Sequence, residues 1–191
     1  MTDAAAQAMS EAEYLRMERE SPYKREYVGG FVYPLHAQAG ASGEHVRISL
    51  RIAAALLPDA DRRGCRLYAS DMKLHISSDS SYFYPDVMLV CGHEHPDRYY
   101  ETAPCLLVEV LSDSTAHDDN DRRHKYAAYT AIPSLQTYLI VSQTERYIVE
   151  YQREGEGWQM REHRAEGEVG VACLGRTLTL EDIYRGVLER G

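Results

Sequence analysis

Two acids sit in apolar company. The run PCLLVEVLS, residues 104–112, carries Glu109 in its middle, and YPDVMLVC, residues 84–91, carries Asp86 near its head. An unpaired carboxylate in a low-dielectric interior costs on the order of several kcal/mol even after relaxation. Each acid therefore needs an ion-pair partner, a hydrogen-bond cage or a cation. Two carboxylates from neighbouring strands suit a hard cation, because Mg²⁺ keeps several waters and takes only one or two protein carboxylates. Phosphodiester cleavage needs such a cation, and also a group that orients water and offsets charge on the phosphate. Lys125 in DRRHKYAAY is a candidate for that group. Asp121, Lys125 and Tyr129 share a helical face at i, i+4 and i+8, and lysine is a point charge with a long reach.

The same residues also have structural readings. Asp86 after Pro85 could simply open a strand, and Glu109 could belong to a buried ion pair. Lys125 with Asp121 could be a solvated helix pair worth about 0.3–0.5 kcal/mol. Only their combination favours chemistry. His93 and His95 flanking Glu94 could bind a transition metal, although no third ligand stands near them in the sequence. His45 either faces the site or lies on the surface, and spacing alone favours the surface. Glu26, before Gly29-Gly30, reads as an exposed hairpin residue. A G-x-S-x-G elbow and a glycine-rich phosphate loop are both missing from the sequence.

The elements that must position these residues follow from periodicity and punctuation. Residues 1–9 read as a frayed start and 10–191 as a single domain. Ser10 with Glu13 has capping-box spacing for a helix to about residue 20. KREYVGGFVY reads as a hairpin around Gly29-Gly30. The clearest helix begins after Ser42, with Val46, Leu50, Ala53 and Leu57 as its apolar stripe and Pro58 at its end. RLYASDMKLHIS reads as strand material bent at Ser70-Asp71. YFYPDVMLVC and PCLLVEVLS read as strands covered on both faces. A helix starts near Asp118, LQTYLIVS is another buried strand, RYIVEYQREGEGWQMREH is a hairpin, and a short helix starts at Thr179 or Glu181. Together they predict a mixed α/β fold, an α+β mixed sheet with flanking hairpins.

Composition narrows the setting. A chain of 191 residues with 44% hydrophobic and 27% charged residues suits a globular domain. The net charge of −9 argues against a general nucleic-acid coat protein but not against an enzyme whose metal site uses carboxylates. RGCR at 63–66 and DRRHK at 121–125 are short basic clusters. The four cysteines form no C-x-x-C pair, which argues against a zinc knuckle and predicts free thiols in a reducing, cytoplasmic setting. The sequence shows no signal peptide or membrane-spanning run. Fifteen tyrosines against two phenylalanines predict half-buried strands and wet interfaces.

These residues resemble a known family. The P-D dipeptide at 85–86, then EVLSDST, then D-x-x-x-K-x-x-x-Y, then IPSLQTYLIVS are similar to the Uma family of restriction endonucleases, within the PD-(D/E)XK nuclease superfamily. KREYVGGFVY resembles that family's E-x-x-x-G hairpin, and GEHVRISL its histidine-bearing first helix. The resemblance runs from about Glu11 to the final helix. It implies a restriction-endonuclease-like core and a metal-dependent endonuclease acting on DNA. Asp86 and Glu109 would ligate Mg²⁺ or Mn²⁺, the Val110 carbonyl would add an oxygen, and Glu26 would match an extra acid. Lys125 would be the catalytic lysine, with His45 and Asp121 in support.

Two departures stand out. The superfamily's E-x-K lysine falls at Leu111, so Lys125 must supply the charge from the helix or the site is inactive. Asp113 stands where the family often has proline, and Asp118, Asp119 and Asp121 add acid nearby. Two alternatives stay open: a nuclease fold kept as a binding or assembly module without turnover, and a metal-dependent hydrolase of a smaller phosphate ester. A homodimer would suit cleavage of both strands of a duplex. No organic cofactor is expected.

Overall fold

The computed structural model describes residues 7–35, 41–92, 97–111 and 119–189, without the side chains of 119–122. A short strand β1 (Gln7–Ala8) precedes α1 (Glu11–Glu18), where the Ser10 hydroxyl caps the helix by accepting from the Glu13 amide. The hairpin β2 (Arg25–Val28) and β3 (Phe31–Pro34) turns at Gly29 and Gly30. Their φ angles of 56° and 92° lie where an L side chain is strained. Then follow α2 (Gly43–Arg63), β4 (Arg66–Ala69), β5 (Lys73–Ile76), β6 (Ser81–Phe83), β7 (Val87–Val90), β8 (Tyr100–Glu101) and β9 (Leu106–Leu111). The chain continues through α3 (Asp119–Thr130), β10 (Thr137–Ser142), β11 (Tyr147–Glu154), β12 (Gly157–Arg164), β13 (Glu168–Val171), β14 (Arg176–Thr179) and α4 (Leu180–Tyr184).

The central sheet has the order β12-β11-β10-β9-β7-β4. Within it β9 and β10 run parallel, joined by a crossover containing α3, and the other pairs are antiparallel. Both faces of β9 are covered, as its apolar run predicts. Leu106, Val108 and Val110 join a core with Ile48, Ile52 and Leu56 of α2. Leu107 packs on the other side with Tyr129 of α3, Ile132 and Tyr138. A second sheet, β1-β3-β2-β6-β5-β8, carries the hairpin that brings in Glu26.

Several expectations need correction. Residues 7–9 are not frayed, because Gln7–Ala8 pair with β3 and Met9 is buried, and residues 1–6 lie outside the described residues. Pro58 does not end α2, which continues to Arg63 and stops at Gly64 in the left-handed region. Proline deletes one helical N–H and crowds the preceding turn, but Leu56 and Ala60 anchor the helix to the core on either side of it. The inward stripe also differs. Val46, Leu50 and Leu57 are 53%, 64% and 47% exposed, whereas Ile48, Ile52, Leu56 and Ala60 are fully buried. YFYPDVMLVC is two strands in different sheets, broken at residues 84–86, and RLYASDMKLHIS is likewise split at Ser70, whose φ is 63°.

The cysteines are paired rather than free. Cys65 is bridged to Cys91, and Cys105 to Cys173. The β4–β7 register sets Cys65 across from Cys91, and the 3₁₀ turn Ala172–Leu174 brings Cys173 up to Cys105. The cytoplasmic expectation therefore loses the support of free thiols. No helix among the described residues is long and apolar enough to cross a membrane. The tyrosines are less interfacial than their number suggests. Tyr14, Tyr82, Tyr129, Tyr138 and Tyr184 are fully buried, and Tyr14 and Tyr184 donate their hydroxyls to backbone carbonyls. The tyrosine argument for a homodimer is correspondingly weak.

Candidate active site

Asp86 stands just before β7, and Glu109 lies within β9. Val87 pairs with Val108 in the antiparallel register, and one further step of that register sets Asp86 across from Glu109. The Asp86 carboxylate is fixed at both oxygens. Its Oδ2 accepts the Val110 amide at 2.7 Å, and its Oδ1 lies 2.8 Å from His45 Nε2. His45 occupies the first turns of α2, whose N-terminus is capped by the Ser42 hydroxyl accepting from the His45 amide. Spacing favoured a surface position for His45, but its side chain is only 15% exposed and it belongs to the site.

Glu109 points to the face of β9 covered by α3. Its Oε1 accepts the Tyr129 hydroxyl at 2.8 Å, and its Oε2 lies 3.4 Å from Lys125 Nζ. Lys125 is one turn before Tyr129, so a single helical face delivers a cation and a phenol to one carboxylate. Lys125 Nζ also lies 3.2 Å from Glu26 Oε1. Glu26 is 6% exposed, which corrects the reading of an exposed hairpin residue. It sits in β2, which pairs on one side with β3 and on the other, through Tyr27, with β6.

The electrostatics show an excess of acid. Burial pushes the Glu109 carboxyl up to about 7; Lys125 pulls it down, Asp86 and Glu26 push it up, and the Tyr129 hydrogen bond pulls it down. Burial pulls the His45 imidazole down, but its hydrogen bond to Asp86 and the charges of Asp86 and Glu109 outweigh that and leave it raised. Three carboxylates thus share a small volume with Lys125 and His45. The contrast with other buried acids is informative. Glu18 is held by Arg25 and Tyr84, Glu101 by Arg66 and Tyr68, and Glu150 by His163, Gln152 and the Gly170 amide. Those networks are ordinary structural solutions to buried charge.

Asp86, Glu109, Lys125, Glu26, the Val110 amide and His45 lie together in one place. The side chain of Asp121, and all of Asp113, Asp118, His93, Glu94 and His95, lie outside the described residues. Helical spacing puts Tyr129 on the Lys125 face, and the structure adds that it is a partner of Glu109, a contact that the Lys-x-x-x-Tyr spacing signals. Leu111, at the E-x-K position, packs against the apolar cluster around Tyr129 and carries no charge to the site. A cavity lined by Asp79, Phe83, His124, Ala127 and Ala128 flanks α3 but includes none of Asp86, Glu109 and Glu26.

Comparison with known proteins places this geometry in context. The Uma2 family model, described as "Putative restriction endonuclease", matches residues 11–181. Uncharacterized protein slr1290 of Synechocystis sp. is 34% identical over 181 residues, covering 94% of this chain and 93% of the relative. Uncharacterized protein sll1609 of the same organism is 34% identical over 172 residues, covering 87% of this chain and 93% of the relative. The crystal structure of a putative nuclease belonging to DUF820 from Anabaena variabilis has a TM-score of 0.70 and 14% identity. That match covers 94% of this chain and 99% of the other, and it shows that the fold is shared.

Proposed function

The chain belongs to the Uma2 family of restriction-endonuclease-like proteins, and on that premise we propose that it is a divalent-metal-dependent endonuclease hydrolysing DNA phosphodiester bonds. One observation carries the reading: Asp86, Glu109 and Glu26 form an excess of acid beside one lysine, and burial, reinforced by the charges of Asp86 and Glu26, pushes the Glu109 carboxyl up to about 7 against the pull of Lys125. A hard cation with oxygen ligands relieves that excess, and the all-carboxylate donor set fits Mg²⁺ or Mn²⁺.

Asp86 and Glu109 would hold the ion. Asp86 retains acceptor capacity, since each of its oxygens engages a single described partner. The N–H and C=O of one strand residue point to the same side. Val110, whose amide faces Asp86, therefore turns its carbonyl that way as a further oxygen. Glu26 would complete the acid set or hold Lys125 in place. The cation, when bound, activates water and neutralises charge on the phosphate. Lys125 would orient the attacking water and offset transition-state charge on the non-bridging oxygens. His45 would fix the Asp86 carboxylate and Tyr129 the Glu109 carboxylate, so that neither acid reorganises as the substrate arrives.

Leu111 supports a second reading, a nuclease fold that binds without turnover, because the motif lysine is replaced by a packed apolar side chain. Calorimetry of Mg²⁺ and Mn²⁺ binding, with plasmid nicking on the same samples, separates the two. The nuclease reading expects metal-dependent nicking by wild type, with both binding and nicking lost in Asp86→Asn. Binding without nicking of plasmid would favour the binding module. No binding by wild type would remove the metal-centre proposal altogether.

A further inference from the structure

All the cysteines of the chain meet at one place, and it is not the acidic site. Cys65 joins α2 to β4, Cys91 follows β7, Cys105 precedes β9, and Cys173 lies in the 3₁₀ turn before β14. Asp86 and Val110 lie at the opposite ends of β7 and β9. The Sγ atoms of Cys91, Cys105 and Cys173 lie within 4.8 Å of one another, and Cys65 is bonded to Cys91. The two bridges touch, with 3.6 Å between the sulfurs of Cys91 and Cys105.

We propose that, as thiolates, Cys65, Cys91, Cys105 and Cys173 form a tetrahedral Zn²⁺ site that pins the C-terminal β13–β14 hairpin to the central sheet. A Zn–S distance of about 2.3 Å sets tetrahedral sulfurs about 3.8 Å apart, close to the Cys91–Cys105 spacing. Soft thiolates select zinc over the hard cations that suit the carboxylate site. Two arginines hold the backbone that carries the sulfurs. Arg66, next to Cys65, donates from Nη1 to the Gly92 carbonyl beside Cys91 at 2.7 Å. The Arg63 guanidinium packs against Gly175, two residues past Cys173, with Nη2 3.4 Å from where a Cβ would stand. The Arg66 charge is itself paired with Glu101, so the RGCR segment braces the backbone around the sulfurs rather than their charge. No C-x-x-C pair announces the site because each ligand comes from a different element.

The bridged and zinc-bound arrangements are the oxidised and reduced states of the same sulfurs. Each disulfide takes two electrons and two protons to give two thiols; a tertiary phosphine supplies the electrons, and water supplies both protons and the oxygen with which the phosphine leaves as its oxide. Binding of Zn²⁺ then releases the thiol protons.

The test uses the full chain, reduced with phosphine, stripped with chelator and shown to remain folded by circular dichroism. Co²⁺ is then titrated in and displaced with Zn²⁺. The expected result is one thiolate-bound Co²⁺ per chain, marked by a thiolate-to-metal charge-transfer band and intense tetrahedral absorption that are lost as Zn²⁺ enters. Zinc should also shield the thiols from an aromatic disulfide reagent. Cys173→Ser should weaken Co²⁺ binding on the order of tenfold or more. Asp86→Asn should leave the charge-transfer band unchanged, because carboxylate-bound Co²⁺ gives none. Folded, reduced wild type that shows no charge-transfer band and keeps its thiols reactive in zinc would overturn the proposal.

Discussion

Tyr129 donates its buried hydroxyl to Oε1 of Glu109 at 2.8 Å, reaching from α3 to β9. The bond favours the ionised acid, and the neighbouring carboxylate in turn, after burial itself, drives the Tyr129 phenol well above its ordinary range. Tyr129→Phe keeps the ring that packs edge-on against Phe83 and Tyr138 and removes only the donor. We expect a folded protein destabilised by about 1–3 kcal/mol, the cost of a lost hydrogen bond to a charged group. Its Glu109 should bind a proton more tightly, so Mg²⁺ affinity should fall several-fold at neutral pH. Denaturant melts and calorimetry check the two effects separately.

Proton competition at Glu109 gives metal binding a characteristic pH dependence. With its carboxyl pushed up to about 7 in the metal-free protein, Glu109 is largely protonated at pH 6 and largely ionised at pH 8. The cation needs the ionised form, so binding below pH 7 must displace a proton. Affinity should therefore fall as pH drops below 7, approaching tenfold per unit, and level off above it. Calorimetry in buffers of different ionisation enthalpy should report close to one proton released per ion at pH 6. A flat profile between pH 5 and 8 would mean that Glu109 is not a ligand.

His45 offers an independent probe of Asp86. Burial alone would lower the imidazole, and the contact with Asp86 outweighs that. Since the folded value is raised, His45 contributes stability that is present below its unfolded pKa of about 6.5 and is lost as pH rises through the folded value. In Asp86→Asn the hydrogen bond loses its charge, so the His45 titration followed by nuclear magnetic resonance should move to lower pH. An unchanged titration would show that Asp86 does not set the state of His45.

Much of this was legible in the sequence because it rested on local constraints. Glu109 could be singled out because an acid in LLVEVL violates the rule its neighbours obey. The hairpin at Gly29-Gly30 and the cap at Ser10 follow from turn and cap chemistry that needs no tertiary context. Lys125 reached Glu109 because helical spacing fixes which side chains share a face. What escaped depended on long-range packing. Glu26 looked exposed because nothing near it in sequence shows that α3 will bring Lys125 over β2. His45 looked superficial because its partner is Asp86, forty-one positions away. The sulfur cluster was invisible because its members are spread over four elements and obey no spacing rule.

The inward face of α2 shows the same limit and yields a direct test. Val46, Leu50 and Leu57 form one apolar stripe, and Ile48, Ile52 and Leu56 form another rotated from it, so periodicity alone does not choose between them. Tertiary contacts do: Ile52 is fully buried against the central sheet, and Leu50 is 64% exposed. Truncating Ile52 removes buried methyl groups and leaves a cavity between helix and sheet, so Ile52→Ala should cost about 2–5 kcal/mol. Leu50→Ala removes side chain already in water and should stay within about 0.5 kcal/mol of wild type. Urea melts of both variants decide which face packs, and the reverse ranking would mean that α2 is rotated about its axis. Such a rotation would also carry His45 away from Asp86, so the stability ranking on this helix bears directly on how the acidic centre is assembled.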